Sequence, residues 1–131
     1  MNRTVSVSQA PCISIVDDDE SIREAIKSLL ESLGFRAEVF ASAEDFLNSS
    51  RLRDTECLIL DMWMPEMNGL ELQSALSASD SRIPIVFISA HEDEEARARA
   101  LKAGAIDFLR KPFHEDALLN GIHSALDQHG E

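Results

Sequence analysis

Two different periods of apolar and polar positions alternate along the chain. Short apolar runs rich in β-branched residues are typical of buried strands, whereas apolar residues at every third or fourth position are typical of amphipathic helices. The pattern predicts strands over residues 12–16, 35–40, 57–62, 83–89 and 105–113. It predicts helices over residues 21–33, 42–50, 70–78, 92–104 and 114–128.

The first predicted helix has the clearest periodicity. Ser21 and Glu24 predict a capping box at its start, and Gly34 predicts its end. The fourth predicted helix differs, because the apolar side of residues 92–104 is mostly alanine. We expect that helix to pack loosely and to move at low cost.

Five strands alternating with five helices predict an α/β fold, a parallel sheet covered by helices on both faces. Right-handed crossovers restrict such a chain to a few doubly wound topologies. The length of 131 residues suits one domain, expected over residues 11–128. Residues 1–10 are expected to form a mobile polar tail, and residues 129–131 a short tail or the start of a linker. No apolar run approaches the length of a membrane span.

The composition narrows the possible partners. The net charge is −12, which argues against nucleic-acid binding by this chain, because phosphate contacts need clustered lysine and arginine. The charge suits a basic partner or a cation. Cys12 and Cys57 each begin an apolar run and lack the spacing of a metal-binding pair. They are therefore predicted to be free core thiols, in a reducing, cytoplasmic setting.

Polar residues follow four of the five predicted strands. The first strand is followed by Asp17 and Asp18, while Asp61, Ser89 and Lys111 lie at the ends of the third, fourth and fifth. Any one of these could simply mark a strand end that meets water. Because the carboxyl ends of parallel strands meet at one edge, the set as a whole predicts a ligand site there.

The residue types indicate phosphoryl chemistry. Three carboxylates suit a hard cation such as Mg²⁺, which binds through one or two carboxylates together with waters and phosphate oxygens. Lys111 is placed to neutralise a phosphoryl oxygen, and Ser89 to donate a hydrogen bond to another. Asp61 is the candidate nucleophile. A cation would also explain the run of four consecutive acidic residues from Asp17 to Glu20.

Four segments of the sequence, "VDDDE", "LILDMWMPEMNGLEL", "IVFISA" and "KAGAIDFLRKP", together resemble a known family. Over residues 12–128 the chain resembles the receiver domain of two-component response regulators. The residues of its third and fifth strands are most similar to those of the FixJ-like group, whose receivers usually precede a helix-turn-helix domain. The resemblance implies a flavodoxin-like (CheY-like) fold with five strands in the order 2-1-3-4-5 and five helices.

The resemblance also implies a phosphoacceptor and a metal site. Asp61 would accept a phosphoryl group from a sensor histidine kinase. Mg²⁺ would be bound directly by Asp18, Asp61 and the backbone carbonyl of Trp63, with Asp17 acting through a water. These are expectations from the family pattern, carried over position by position.

The remaining family positions concern switching. Ser89 corresponds to the switch hydroxyl, Lys111 to the phosphate-binding lysine and Phe108 to the switch aromatic, and the peptide bond before Pro112 would be cis. Phosphorylation would reshape the face made by the fourth helix, fifth strand and fifth helix by biasing two pre-existing states.

Two side chains beside the expected site vary within the family. Trp63 lies two residues after Asp61, and His91 lies two residues after Ser89. Both are predicted to control how readily water reaches the phosphorylated acceptor.

Three other functions share some of these features. A phosphatase of the haloacid-dehalogenase type would carry its nucleophile on the first strand and usually needs a cap domain, which this length does not allow. A pseudo-receiver would usually lack the acid pair, the acceptor or the lysine, and all are present here. A standalone receiver acting through protein contacts remains an alternative to one that forms a phosphorylation-dependent homodimer and controls transcription through a DNA-binding domain.

Overall fold

The computed structural model describes residues 10–129. The predicted tail over residues 1–10 therefore lies, except for Ala10, outside the described residues, as do residues 130–131.

Five parallel strands form one sheet in the order β2-β1-β3-β4-β5, which confirms the predicted fold. The strands are β1 (Cys12–Val16), β2 (Arg36–Phe40), β3 (Cys57–Asp61), β4 (Ile85–Ser89) and β5 (Asp107–Arg110). The helices are α1 (Glu20–Ser32), α2 (Ala43–Leu47), α3 (Gly69–Ala78), α4 (Glu94–Lys102) and α5 (Glu115–His129). A 3₁₀ helix, Ser50–Leu52, lies between α2 and β3.

The sheet separates two apolar cores. On one face Ile26 and Leu30 of α1 pack with Leu118 and Ile122 of α5. The other face is covered by α2, α3 and α4, through side chains that include Phe46, Leu72, Leu76 and Ala100. All residues of β1, β3 and β4 are buried, as expected for strands covered on both sides.

The start of α1 differs from the prediction. The capping box of Ser21 and Glu24 is wrong, because Asp19 is the N-cap residue and its side chain accepts a hydrogen bond from the backbone N–H of Ser21. The chain turns earlier than the apolar pattern suggested, since Asp17 Oδ1 accepts from the backbone N–H of Asp19 at 2.8 Å. The predicted end is confirmed: Gly34 follows the helix with φ of 92°.

The fifth strand is shorter than predicted. It spans Asp107–Arg110 rather than residues 105–113. Ala105 is drawn into the end of α4, where its N–H donates to the carbonyl of Ala100 at 3.0 Å. Gly104 has φ of 109°, so a glycine in the left-handed region ends α4 before the strand begins.

Both cysteines are free and buried, as predicted. Burial raises the pKa of the Cys57 thiol to about 12 and also raises the pKa of Cys12. Among residues 10–129, no helix has both the length and the apolar character needed to cross a bilayer.

Candidate functional site

Three carboxylates converge at the carboxyl edge of the sheet. β1 lies beside β3, with Val16 paired to Leu60, so Asp17 and Asp61 leave neighbouring strands at the same edge. Ligand oxygens of Asp17, Asp18 and Asp61 lie within 4.8 Å of one another. From β1 the chain continues to β2 on one side of β1, and the later strands are added on the other side, beginning with β3. The three carboxylates therefore lie at the point where the strand order reverses, the usual ligand site of such sheets.

The side chain of Asp17 is fully buried, and each of its carboxylate oxygens accepts a hydrogen bond. Its Oδ1 accepts from the N–H of Asp19 at 2.8 Å, and its Oδ2 accepts from Nζ of Lys111 at 2.9 Å. Its backbone is held as well: the N–H donates to the carbonyl of Phe40 at 3.1 Å, and the carbonyl accepts from Nη1 of Arg23 at 2.8 Å. The Asp17 carboxylate is therefore a fixed group with both oxygens engaged.

Asp61 ends β3 with only 4% of its surface exposed. Nζ of Lys111 lies 3.7 Å from its Oδ1, and the N–H of Trp63 donates to the same oxygen at 3.4 Å. Burial, followed by repulsion from Asp17, raises the pKa of the Asp61 carboxyl to about 7, although Lys111 and the Trp63 N–H partly offset this. The Asp61 site disfavours a bare negative charge and would gain from additional positive charge.

Asp18 supplies the accessible oxygen of the cluster. Its side chain is exposed, whereas Asp17 and Asp61 are buried. Within residues 10–129 the Asp18 carboxylate accepts no hydrogen bond and joins no salt bridge, so it is available to a ligand. Three carboxylates face one lysine here, and this charge imbalance fits a divalent cation with oxygen ligands.

The loop after Asp61 is held against the sheet by Gly69. A Cβ atom at that position would lie 2.9 Å from the Asp61 carbonyl oxygen and 2.8 Å from a ring carbon of Phe87. The Gly69 N–H donates to the carbonyl of Met62 at 2.9 Å. A glycine is required because any side chain would push the start of α3 away from the backbone of Asp61.

Ser89 ends β4 with a fully buried hydroxyl. Its Oγ donates to the carbonyl of His91 at 3.0 Å and accepts from the N–H of His91 at 3.1 Å. These bonds form a local turn, so the hydroxyl is bonded to its own loop and not to the carboxylates. The side chain of His91 is exposed.

Phe108 lies in β5, and Lys111 is the first residue after the end of that strand. The Lys111 N–H donates to the Ser89 carbonyl at 2.7 Å, which brings the lysine to the acidic cluster, and the Lys111–Pro112 peptide bond is cis. Phe108 is half-buried, with its ring centroid 5.9 Å from that of Phe87. Trp63 is 38% exposed beside Asp61.

Two contacts of the site were not anticipated. The Arg23 side chain reaches back from α1 to the Asp17 carbonyl, and Gly69 permits the close approach of α3. Arg23 gave no signal because it lies outside the apolar face of its helix. Gly69 lies just before the predicted third helix, residues 70–78, and its position directly after Asn68, the N-cap of α3, was the available cue.

Comparison with known proteins identifies one family of similar sequences. The family model of the response regulator receiver domain matches residues 13–123. Response regulator protein TmoT of Ectopseudomonas mendocina is 49% identical over 118 residues, covering 90% of this chain and 54% of that protein. The transcriptional regulatory protein FixJ of Bradyrhizobium diazoefficiens is 37% identical over 116 residues, covering 88% of this chain and 57% of FixJ.

Solved structures of response regulators are also similar to this chain. The structure of response regulator StyR matches with a TM-score of 0.86 at 50% identity, covering 92% of this chain and 61% of that one. The structure of FixJ-N matches with a TM-score of 0.81 at 35% identity, covering 91% and 95% of the two chains. The chain spans about half the length of the curated relatives it matches.

Proposed function

The chain belongs to the receiver domain family of two-component response regulators, and from this membership we propose that it is a phosphorylation-controlled switch with Asp61 as the phosphoacceptor. The observation that carries the proposal is the position of Asp61. It is nearly buried at the carboxyl edge, within 4.8 Å of two other carboxylates and with the Lys111 ammonium 3.7 Å away. No other carboxylate of the cluster combines a buried position with an oxygen left free for attack.

Mg²⁺ is the proposed cofactor of the site. Asp18 and Asp61 would bind it directly together with the Trp63 carbonyl. Asp17 would act through a water, because both of its oxygens already accept hydrogen bonds. When bound, Mg²⁺ would neutralise charge on the phosphoryl oxygens and on the carboxylates.

The proposed reaction is a phosphoryl transfer to a side-chain oxygen. An oxygen of ionised Asp61 attacks the phosphorus of the donor, a new O–P bond forms, and the bond from phosphorus to the leaving group breaks. The leaving group, a histidine nitrogen of the partner kinase or the acetate oxygen of acetyl phosphate, takes the electron pair. Lys111 Nζ donates to a non-bridging phosphoryl oxygen, for which its 3.7 Å distance from Asp61 is suitable.

Trp63 and His91 are proposed to tune the lifetime of the phosphorylated state. Both side chains are exposed and follow Asp61 and Ser89 by two residues. Loss of the phosphoryl group needs a water to attack the phosphorus of the acyl phosphate. A large ring beside Asp61 would restrict that approach.

Switching would be transmitted by Ser89 and Phe108. To reach a phosphoryl group, the Ser89 hydroxyl would give up its two bonds to the backbone of His91. The freed loop lies directly before α4, and Phe108 of β5 packs on Phe87, two residues before Ser89 on β4. The face of α4, β5 and α5 would then change shape and favour a homodimer.

The proposed partner is a sensor histidine kinase, and the proposed output is transcription. FixJ, a relative, is named a transcriptional regulatory protein. A DNA-binding domain outside this chain would supply DNA contact, since a net charge of −12 does not suit DNA binding by the receiver itself. A standalone receiver that acts through protein contacts is the alternative. The buried free thiols support a reducing, cytoplasmic setting.

Intact-protein mass after incubation with acetyl phosphate tests the proposal. The wild type and Asp61→Asn would each be treated with Mg²⁺ and with chelator. We expect one phosphoryl adduct, seen only with Mg²⁺ and only on the wild type. An Mg²⁺-binding protein that forms no adduct would instead be a pseudo-receiver or a receiver whose site is closed by Trp63, and an equal adduct on Asp61→Asn would exclude Asp61 as acceptor.

A further inference from the structure

The direction of the Asp18 side chain depends on the two peptide groups that flank it. The group between Asp18 and Asp19 is held by the bond from the Asp19 N–H to Asp17 Oδ1, at 2.8 Å. The group between Asp17 and Asp18 is held by the bond from Nη1 of Arg23 to the Asp17 carbonyl, also at 2.8 Å. With both groups held, φ and ψ of Asp18 are restricted although its side chain is exposed.

Arg23 is well placed to act as this brace. It lies in the first turn of α1, where side chains tilt back toward the N-terminus of the helix. Its backbone N–H donates to the carbonyl of Asp19 at 3.1 Å, while its guanidinium reaches the carbonyl of Asp17. The residue therefore bonds both ends of the short loop that contains Asp18.

We propose that Arg23 is a positioning residue for the divalent cation: by clamping the Asp17 carbonyl it fixes the orientation in which Asp18 presents its carboxylate. The inference rests on the proposed Mg²⁺ site. Arg23 touches neither the cation nor the phosphoryl group and acts through the backbone of the loop. Outer contacts of this kind orient metal ligands, and their loss typically weakens metal binding about 10- to 100-fold.

The positive charge of Arg23 acts in the opposite direction. A cation bonded to the loop that contains Asp17 and Asp18 repels Mg²⁺, so removing its charge alone would tighten Mg²⁺ binding, and added salt would weaken that effect. The two effects therefore predict opposite changes in Mg²⁺ affinity for Arg23→Ala. Loss of positioning weakens Mg²⁺ binding, whereas loss of charge alone tightens it. The two effects also differ between ions, because Mg²⁺ demands near-ideal octahedral geometry whereas Ca²⁺ accepts flexible coordination.

Titration calorimetry with Mg²⁺ and with Ca²⁺ separates the two effects. Trp63, the one tryptophan of the chain, gives a second readout by fluorescence beside Asp61. The variants are Arg23→Ala, Arg23→Lys and the control Lys27→Ala. Lys27→Ala removes one positive charge from the next turn of α1, from a residue that forms no salt bridge within residues 10–129.

We expect Arg23→Ala to weaken Mg²⁺ binding about 10-fold and to weaken Ca²⁺ binding much less. Arg23→Lys keeps the charge and one donor, so its Mg²⁺ affinity should fall between those of the wild type and Arg23→Ala. Lys27→Ala should bind both ions as tightly as the wild type or slightly more tightly. Thermal unfolding of each variant in chelator shows whether the fold is intact, and Arg23→Lys carries the test if Arg23→Ala does not fold.

Three results would overturn the inference. Mg²⁺ binding by Arg23→Ala that equals or exceeds that of the wild type would show that Arg23 does not position Asp18 for the cation. Equal losses for Mg²⁺ and Ca²⁺ would indicate general disorder of the loop. If the wild type itself binds no Mg²⁺, the proposed function fails and the inference fails with it, whereas the first two results leave the proposed function standing.

Discussion

Replacing Asp61 by asparagine should stabilise the protein when divalent cations are absent. Asparagine has nearly the same shape and keeps an oxygen that can accept the N–H of Trp63, now 3.4 Å from Asp61 Oδ1. It removes a charge that is buried and repelled by Asp17, the two causes that raise the pKa of Asp61 to about 7. Lys111 keeps its closer partner, Asp17, at 2.9 Å.

The size of the effect follows from the pKa of Asp61 in the two states. The folded protein releases the proton at a pKa of about 7, and the unfolded chain releases it near 3.8. The stability associated with the protonated group is therefore complete below about pH 3.8 and is lost as the pH rises toward 7. At about 1.4 kcal/mol for each pKa unit, the gap corresponds to an upper limit of about 4 kcal/mol. Relaxation around the charge reduces this, and we expect a gain of about 2 kcal/mol for Asp61→Asn at pH 7.

Urea unfolding in chelator between pH 4.5 and 8 measures this gain. The difference between Asp61→Asn and the wild type should grow as the pH rises. It should shrink when Mg²⁺ is added, because a ligand that binds only the folded wild type stabilises it. Glu24→Gln is the matched control, since it removes an exposed carboxylate from α1 and should change stability by less than about 0.5 kcal/mol. An Asp61→Asn variant no more stable than the wild type at pH 7 would refute the reasoning.

Three further substitutions test individual contacts. Trp63→Ala should shorten the lifetime of the phosphorylated form, followed as loss of the mass adduct after the donor is removed; an unchanged rate would exclude a role for the ring in water access. Gly69→Ala should cost about 1–3 kcal/mol in urea unfolding, because its Cβ would lie 2.9 Å from the Asp61 carbonyl oxygen; a neutral result would mean that α3 can shift freely. Gln73→Leu removes the bond from Nε2 to the Ala100 carbonyl, 3.1 Å long, and should cost about 1 kcal/mol, since that carbonyl keeps the Ala105 N–H. Amide hydrogen exchange should then accelerate chiefly at the C-terminal end of α4. An equal acceleration throughout the protein would show that Gln73 does not anchor that end of the helix.

Much of the fold follows from local pattern. The apolar runs of β1, β3 and β4 became strands that are buried between two helical layers, as for "CLILD" of β3, whereas the edge strands β2 and β5 are only half-buried. The residues after those runs converge because parallel strands end at one edge, which brings Asp17, Asp18 and Asp61 together.

The local pattern of apolar and polar residues does not predict contacts between the start of a helix and the end of a neighbouring strand. Asp19 rather than Ser21 caps α1, because Asp17 Oδ1 turns the chain first. The Arg23 brace and the close approach at Gly69 depend on how a helix start meets a neighbouring strand end. Residue spacing carries little information about such distances.

Locating the phosphoryl group by chemical trapping tests the central claim most directly. Borohydride reduces an aspartyl phosphate to homoserine, so the wild type would be treated with acetyl phosphate and Mg²⁺, reduced, digested and sequenced by mass spectrometry. We predict homoserine at position 61 and at no other aspartate, and none when chelator replaces Mg²⁺. Homoserine at Asp17 or Asp18, or its absence from position 61 in a protein that carries the adduct, would contradict the account.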